Sequence, residues 1–255
     1  MCLIFICQHA HPDYPLIIAA NRDEFYPRPT VALQQWQDHP QVIAGRDLQA
    51  GGSWLGVSKN GRLAAITNHR MRDDNHYHNS RGSLVTRFLT GTQSTSEFAT
   101  YLQQTAESYA GYNCVFGTLT GNPRLFHYNN TEHQLTELQA GVHGVSNASL
   151  DTPWFKLREG KQALETLLQQ PMQHEAWLKM MTDQQQAADN ELPDTGIDKQ
   201  LEASLSSRFI HLPHYGTRCT TLITLDNHNQ LSICERSYNE QAEAQNTQLF
   251  RFSLA

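Results

Sequence analysis

The chain has 255 residues, 39% apolar and 17% charged, with a formal net charge of −6. That balance describes an ordinary folded protein whose core is large enough for one α/β or layered domain, taken here as 1–255. The negative charge leaves no electrostatic footprint for DNA or RNA and argues against nucleic acid as a partner. Cys2, Cys7, Cys114, Cys219 and Cys234 are widely spaced with no Cys-x-x-Cys pair, which speaks against a disulfide framework or zinc ribbon and for a reducing, cytoplasmic compartment. The apolar start lacks a basic n-region and a cleavage site, and no run approaches the roughly 20 residues that span a bilayer, so neither export nor a transmembrane segment is expected.

Cys2 to Cys7 is an apolar run of strand length, His9 to Pro15 a polar loop, and Leu16 to Ala20 a second apolar run. Together they read as a hairpin. Antiparallel strands bring the beginning of one beside the end of the other, which sets Asn21-Arg22-Asp23-Glu24 next to Cys2. If Met1 is removed, Cys2 carries a nucleophile and a base, because the α-amine's ordinary pKa of about 7.7–8.0 lies near the thiol's, at about 8.5. Arg22 would favour the thiolate and Asp23 would fix the ammonium. The alternative is Cys2 as a small buried hydrophobe and the polar four as a surface turn with ordinary ion pairs.

Phe25-Tyr26-Pro27-Arg28-Pro29 is broken by proline and reads as a rigid segment framing the rim. Gly51 to Ser58, Lys59-Asn60-Gly61 and Arg62 to Asn68 give a second hairpin with Asn68 at a strand end. The paired glycines before Trp54 are either a close-approach loop for a ligand or a bulge. His69 to Ser80 is a loop whose His76-x-His78 is a metal pair or two solvated histidines. Helices are expected over Arg81–Leu89 and Ser96–Ser108, the second entered through a Ser94-x-x-Glu97 capping box. A meander follows: Cys114–Leu119, Leu125–Tyr128, Leu135–Leu138 and Val142–Asn147. Asp151 then serves as N-cap and Pro153 as first helical residue of a helix over Trp154–Gln169, and another helix lies near His174–Met181. Residues Thr182 to Ser207 read as a mobile excursion with the character of a lid, and strands Cys219–Leu225, Leu231–Arg236 and Gln248–Ser253 close the chain. Strands, two helices, strands, two helices, strands: that order suggests two packed sheets with helices on both outer faces, an αββα sandwich.

Asn21-Arg22-Asp23-Glu24 behind Met1-Cys2 closely resembles the signature of the NRDE protein family, also known as the transport and Golgi organization family. The resemblance extends through Gly51-Gly52-Ser53-Trp54-Leu55-Gly56, Thr67-Asn68, Ser146-Asn147, Thr152-Pro153-Trp154 and Tyr215-Gly216-Thr217-Arg218. It implies an α/β fold of the N-terminal nucleophile hydrolase type and a role in intracellular haem trafficking, with lipid or acyl-CoA handling as a further family theme. A haem, or another small amphipathic ligand, would then be an exchangeable cargo near Cys2, Arg22, Asp23, Glu24 and Trp54, passed to haem-acceptor proteins. Without a Cys-x-x-Cys-His run the haem is not covalently attached. Its iron ligand is open among Cys2 and 13 histidines.

The chain also looks like the wider group of choloylglycine and penicillin acylases. That resemblance implies Cys2 as nucleophile, Asp23 as holder of the amine, Asn68 and Asn147 as donors to the oxyanion or amine, and Arg218 as stabiliser of Asp23 or the thiolate. One position departs: the acylases have Arg three residues before the Asp, where this chain has Ala20, and its Arg22 immediately precedes Asp23. Strand alternation points Arg22 and Asp23 to opposite sides. Two enzymatic and binding readings follow, a haem handler and an amidohydrolase of a small acylated substrate. A purely structural protein leaves the polar residues recurring at strand ends around Cys2 unexplained.

Overall fold

The computed structural model describes residues 2–71 and 75–254. β1 (Cys2–Gln8) and β2 (Leu16–Phe25) form the expected hairpin, with Cys2 opposite Arg22 and Gln8 opposite Leu16. Ile4, Ile6, Leu16, Ile18 and Ala20 enter one apolar cluster, whereas Leu3, Phe5, Cys7, Ile17 and Ala19 enter another. Burial on both faces is why these runs are continuously apolar instead of alternating.

The second sheet follows the chain in order: β3 (Thr30–Gln35), β4 (Val42–Asp47), β5 (Leu55–Ser58), β6 (Arg62–Asn68), β7 (Tyr112–Thr118), β8 (Arg124–Asn129) and β9 (Gln134–Glu137). The first sheet is completed by β10 (Gly141–Val145), β11 (Tyr215–Leu225), β12 (Gln230–Tyr238) and β13 (Ala244–Ser253), in the order β10-β1-β2-β11-β12-β13. Between the sheets, Ile4, Ile18, Ile223 and Ile233 share a core with Val57, Ala65 and Val115. Outside the second sheet lie α1 (Gly82–Thr90) and α2 (Thr95–Gln104), and outside the first lie α3 (Phe155–Leu168) and α4 (His174–Met180). The four-layer αββα arrangement expected from the element order is the observed one. No helix among the described residues is long and apolar enough to cross a membrane.

Local differences from the sequence reading have local causes. β3 and β4 add strands where no element is anticipated. β3 carries a register shift between Val31 and Gln34, and the Leu33 N–H donates to the buried Glu235 carboxylate at 2.6 Å instead of to a neighbouring strand. The Ser94–Glu97 capping box forms as expected. Asp151 is not the N-cap of α3; that position belongs to Trp154, and Asp151, with φ of 59°, instead accepts from the Gly144 N–H at 2.7 Å and from Lys161 at 2.5 Å. The segment between α4 and β11 is not a free excursion. It contains α5 (Lys199–Ser204) and is fastened by Arg70 to Glu202, by Lys156 to the Leu205 carbonyl, and by Arg208 to Asp183. The Asn21 amide donates to the Met181 and Arg208 carbonyls, so this segment closes the outer face of the first sheet and is not a lid on the Cys2 side.

Candidate functional site

The hairpin register makes Cys2 and Arg22 direct cross-strand partners, and Cys219 on β11 is the next partner of Arg22 in the same row. Cys2 therefore opens on the mouth between the two sheets. Asp23, one residue on, faces the other way, as alternation requires. Its Oδ1 accepts from the Thr217 hydroxyl at 2.7 Å, and the Tyr215 hydroxyl donates to its backbone carbonyl at 3.0 Å. The Cys2 carbonyl in turn accepts from Ser146 at 3.1 Å. Thr217 and Tyr215 from β11 and Ser146 beyond β10 thus pin the two strands on either side of the thiol.

The cleft at Cys2 holds about 130 Å³ and is lined by Arg22, Glu24, Asp47, Trp54, Asn68 and Arg81 among others. Arg22 lies over the Trp54 ring, 4.3 Å from its centroid, which combines a cation–π contact with ion pairs to Asp47 at 3.6 Å and Glu24 at 4.0 Å. Arg28 reaches Asp47 at 2.6 Å and Glu24 at 3.7 Å, so these two arginines and two carboxylates compensate one another. Arg81 has no carboxylate within ion-pair distance among the described residues and donates to the Gly111 carbonyl at 3.0 Å. It stands at the start of α1, whose dipole adds positive potential at the same point. Among the described residues, the cleft thus carries a cation without a carboxylate partner, Arg81, beside a thiol.

Gly52 is what brings α1 so close. A Cβ there would fall 2.5 Å from the Gly82 backbone carbon, so the close approach anticipated for the glycine pair is that of the helix start against the cleft wall. Gly45 plays the same part for Trp54, since its Cβ would lie 2.2 Å from the indole.

Burial dominates the electrostatics. It pushes the Cys2 thiol above its ordinary value, with the Asp23 charge adding to the rise and Arg22 and a backbone hydrogen bond from Asp23 opposing it. Arg22 does favour the thiolate, as expected, but burial is the larger effect and Cys2 is a thiol near neutrality. Burial likewise raises Asp23, against Lys156, Thr217 and Arg22. Lys156 is 2% exposed, donates to the Leu205 carbonyl at 3.1 Å, and is lowered to about 8 by burial despite the nearby Asp23.

Two expected placements are corrected. The Asn147 amide is engaged in the framework, donating to the Asn68 carbonyl at 2.9 Å, and does not line the cleft; Asn68 does. Arg218 does not lie on Asp23. A register shift between Thr217 and Cys219 turns its guanidinium to the Phe25 and Tyr26 carbonyls, at 3.1 and 2.9 Å, and into a neighbouring cavity. Cys2, Arg22, Asp23, Glu24 and Trp54, the set expected around a ligand, all line the one cleft. Met1, whose removal decides the α-amine, lies outside the described residues, as do 72–74 in the His69–Ser80 loop. No three His, Cys, Asp or Glu side chains among the described residues are grouped for a metal ion.

Arg81, Ser146, Thr217 and Lys156 were not read from the sequence as site residues. Ser146 and Thr217 lie inside the motif runs and were within reach. Lys156, between Phe155 and Leu157 at a helix start, carries no local sign of its burial.

A family model described as Transport and Golgi organisation 2 matches residues 1–240. The chain is 31% identical to the Transport and Golgi organization protein 2 homolog of Homo sapiens, over 100% of this chain and 99% of that protein. With the homolog of Bos taurus it is 32% identical over 93% of each. Among solved structures, the Caenorhabditis elegans N-acylethanolamine-hydrolyzing acid amidase ortholog aligns with a TM-score of 0.50 at 8% identity, over 87% of this chain and 92% of that one. That likeness is one of fold, the N-terminal nucleophile hydrolase type.

Proposed function

The chain belongs to the Transport and Golgi organisation 2 family, and from that premise we propose that its Cys2 cleft holds a small amphipathic anion, haem first among them, and yields it to an acceptor protein. The observation that supports this reading is acid-binding and apolar surface around one thiol. Arg22, Arg28 and Arg81 line the cleft. Trp54 and Ile66 give it apolar surface, and exposed Met71 packs at Gly111, whose carbonyl receives Arg81. The cleft of about 130 Å³ is smaller than the roughly 300–1,000 Å³ that encloses a drug-sized ligand. It therefore takes one edge of a macrocycle, with a propionate at Arg81 and the flat body across the apolar fringe. Such open seating keeps the cargo exchangeable. Cys2 is the side chain in this cleft that haem iron accepts, and since bonding displaces the thiol proton, affinity rises with pH.

Titration with haem tests the proposal. A saturable one-to-one Soret change is expected, weakened by Arg81→Met and altered in position by Cys2→Ser. A change that does not saturate, or that an unrelated protein of equal His content reproduces, overturns it.

One observation favours a second reading, an amidohydrolase or thioesterase. Asn68 and the start of α1 line the cleft beside Cys2, where an oxyanion would form. Loss of Met1 by intact mass together with Cys2-dependent hydrolysis of an amide or thioester panel is the result this reading requires.

A further inference from the structure

Cys2, Arg22, Cys219 and Ser237 form one cross-strand row over β1, β2, β11 and β12. Cross-strand partners share a face, and this face is turned to the second sheet, since Ile4, Ile18, Ile223 and Ile233 along it enter the core between the sheets. Trp54 of the second sheet stacks on Arg22 in the middle of the row. The stacked pair divides the mouth of the sandwich. On one side is the Cys2 cleft, and on the other a cavity of about 310 Å³ lined by Arg218, Cys219, Glu235, Ser237 and Tyr238; Arg22 and Trp54 belong to both walls.

Two features give this second cavity its chemistry. Its volume reaches the range of small-molecule sites, about 300–1,000 Å³. Arg218, held through one nitrogen by the Phe25, Tyr26 and Arg28 carbonyls, has no carboxylate within ion-pair distance among the described residues. Glu235 is 2% exposed and its two oxygens accept from the Leu33 N–H at 2.6 Å and the Thr221 hydroxyl at 3.2 Å, so its carboxylate is engaged in the framework beneath the cavity. A guanidinium without a carboxylate partner beside such a space calls for an acceptor-rich, negatively charged group.

We infer that the second cavity receives the acidic arm of the ligand whose other end reaches Cys2, with the acid group between Arg22 and Arg218 and the ring of a carboxylated aromatic against Trp54 and Tyr238. This rests on the reading that the Cys2 cleft binds a ligand. It makes the protein selective for molecules with an acid group one ring's length from the part that meets the thiol.

Two maleimides that differ by one para carboxyl group test it, N-phenylmaleimide and N-(4-carboxyphenyl)maleimide, with Cys2 modification followed by mass spectrometry and each rate normalised to that of iodoacetamide. The carboxylated reagent should react at least fivefold faster in the unaltered protein. Arg218→Met should remove that advantage, and Ala32→Phe, which fills the cavity without touching a charge, should reduce it at least threefold. Equal rates for the two reagents, or an advantage that survives both variants and disappears only in Arg81→Met, would overturn the inference while leaving the Cys2 cleft intact. A Cys2 inert to iodoacetamide would overturn both.

Discussion

Cys2 is the one cysteine of the five that is not fully buried. Its reactivity is set by two opposed effects, access and a thiol pKa held up by burial. Cys2 should therefore be alkylated at least tenfold faster than Cys7, whose thiol is pushed up to about 12, and its rate should still be climbing at pH 9. A plateau below pH 8 would mean that Arg22 outweighs burial. Asp23 and Glu24 separate in the same way. Asp23 is 1% exposed and tied to Thr217, while Glu24 sits at the rim between two arginines. Asp23→Ala should lower stability by about 1–3 kcal/mol and Glu24→Ala by under about 1, a gap that thermal melts resolve at roughly 2–4 °C per kcal/mol. Equal shifts would contradict this placement. The adjacency of Cys2, Arg22 and Asp23 was legible because a short hairpin with a fixed loop admits one register. The targets of Asn147 and Arg218 were not, since a one-residue bulge at Thr217/Cys219 redirects a long side chain and leaves no mark in the residue types.

At the scale of elements, what positions the hairpin is the fit of α3 on the outer face of the first sheet. A Cβ on Gly160 would lie 2.0 Å from the Phe5 ring, so the helix is seated on bare backbone. Gly160→Ala should lower unfolding free energy by about 1–3 kcal/mol through overpacking. Gly144→Ala, where the new carbon meets the flexible end of Leu157 at 3.2 Å, should change it by less. Denaturant melts decide it, and equal losses would mean that Phe5 gives way freely. Helices and continuous strands were legible by periodicity and caps, the Ser94–Glu97 box above all. β3 and β4 escaped because an interrupted ladder mixes polar and apolar residues with no clean period. The segment 182–207 escaped because its anchors, Glu202 and Leu205, bind residues far away in sequence.

For the molecule as a whole, the layering was legible because strands and helices in blocks admit few packed arrangements. The polar seam under the outer helices was not. Lys156 sits in that seam with its pKa lowered from 10.5 to about 8. Below the folded value both states hold the proton. Between about 8 and 10.5 the unfolded chain holds one that the folded chain has released, so this group makes stability rise with pH across that window. Lys156→Met abolishes the rise. The stability of the variant relative to the unaltered protein should therefore fall by roughly 3 kcal/mol from pH 8 to pH 10.5, and parallel curves would show Lys156 to be ordinary. All of this surrounds one claim, that the open mouth of the sandwich at Cys2 is where a ligand is held. Protection of the thiol tests it most directly. With haem added to saturation, iodoacetamide labelling of Cys2, followed by mass spectrometry, should slow at least tenfold and recover when an apo-haem acceptor removes the ligand. Labelling at an unchanged rate in the haem-saturated protein would place the ligand elsewhere and contradict the account.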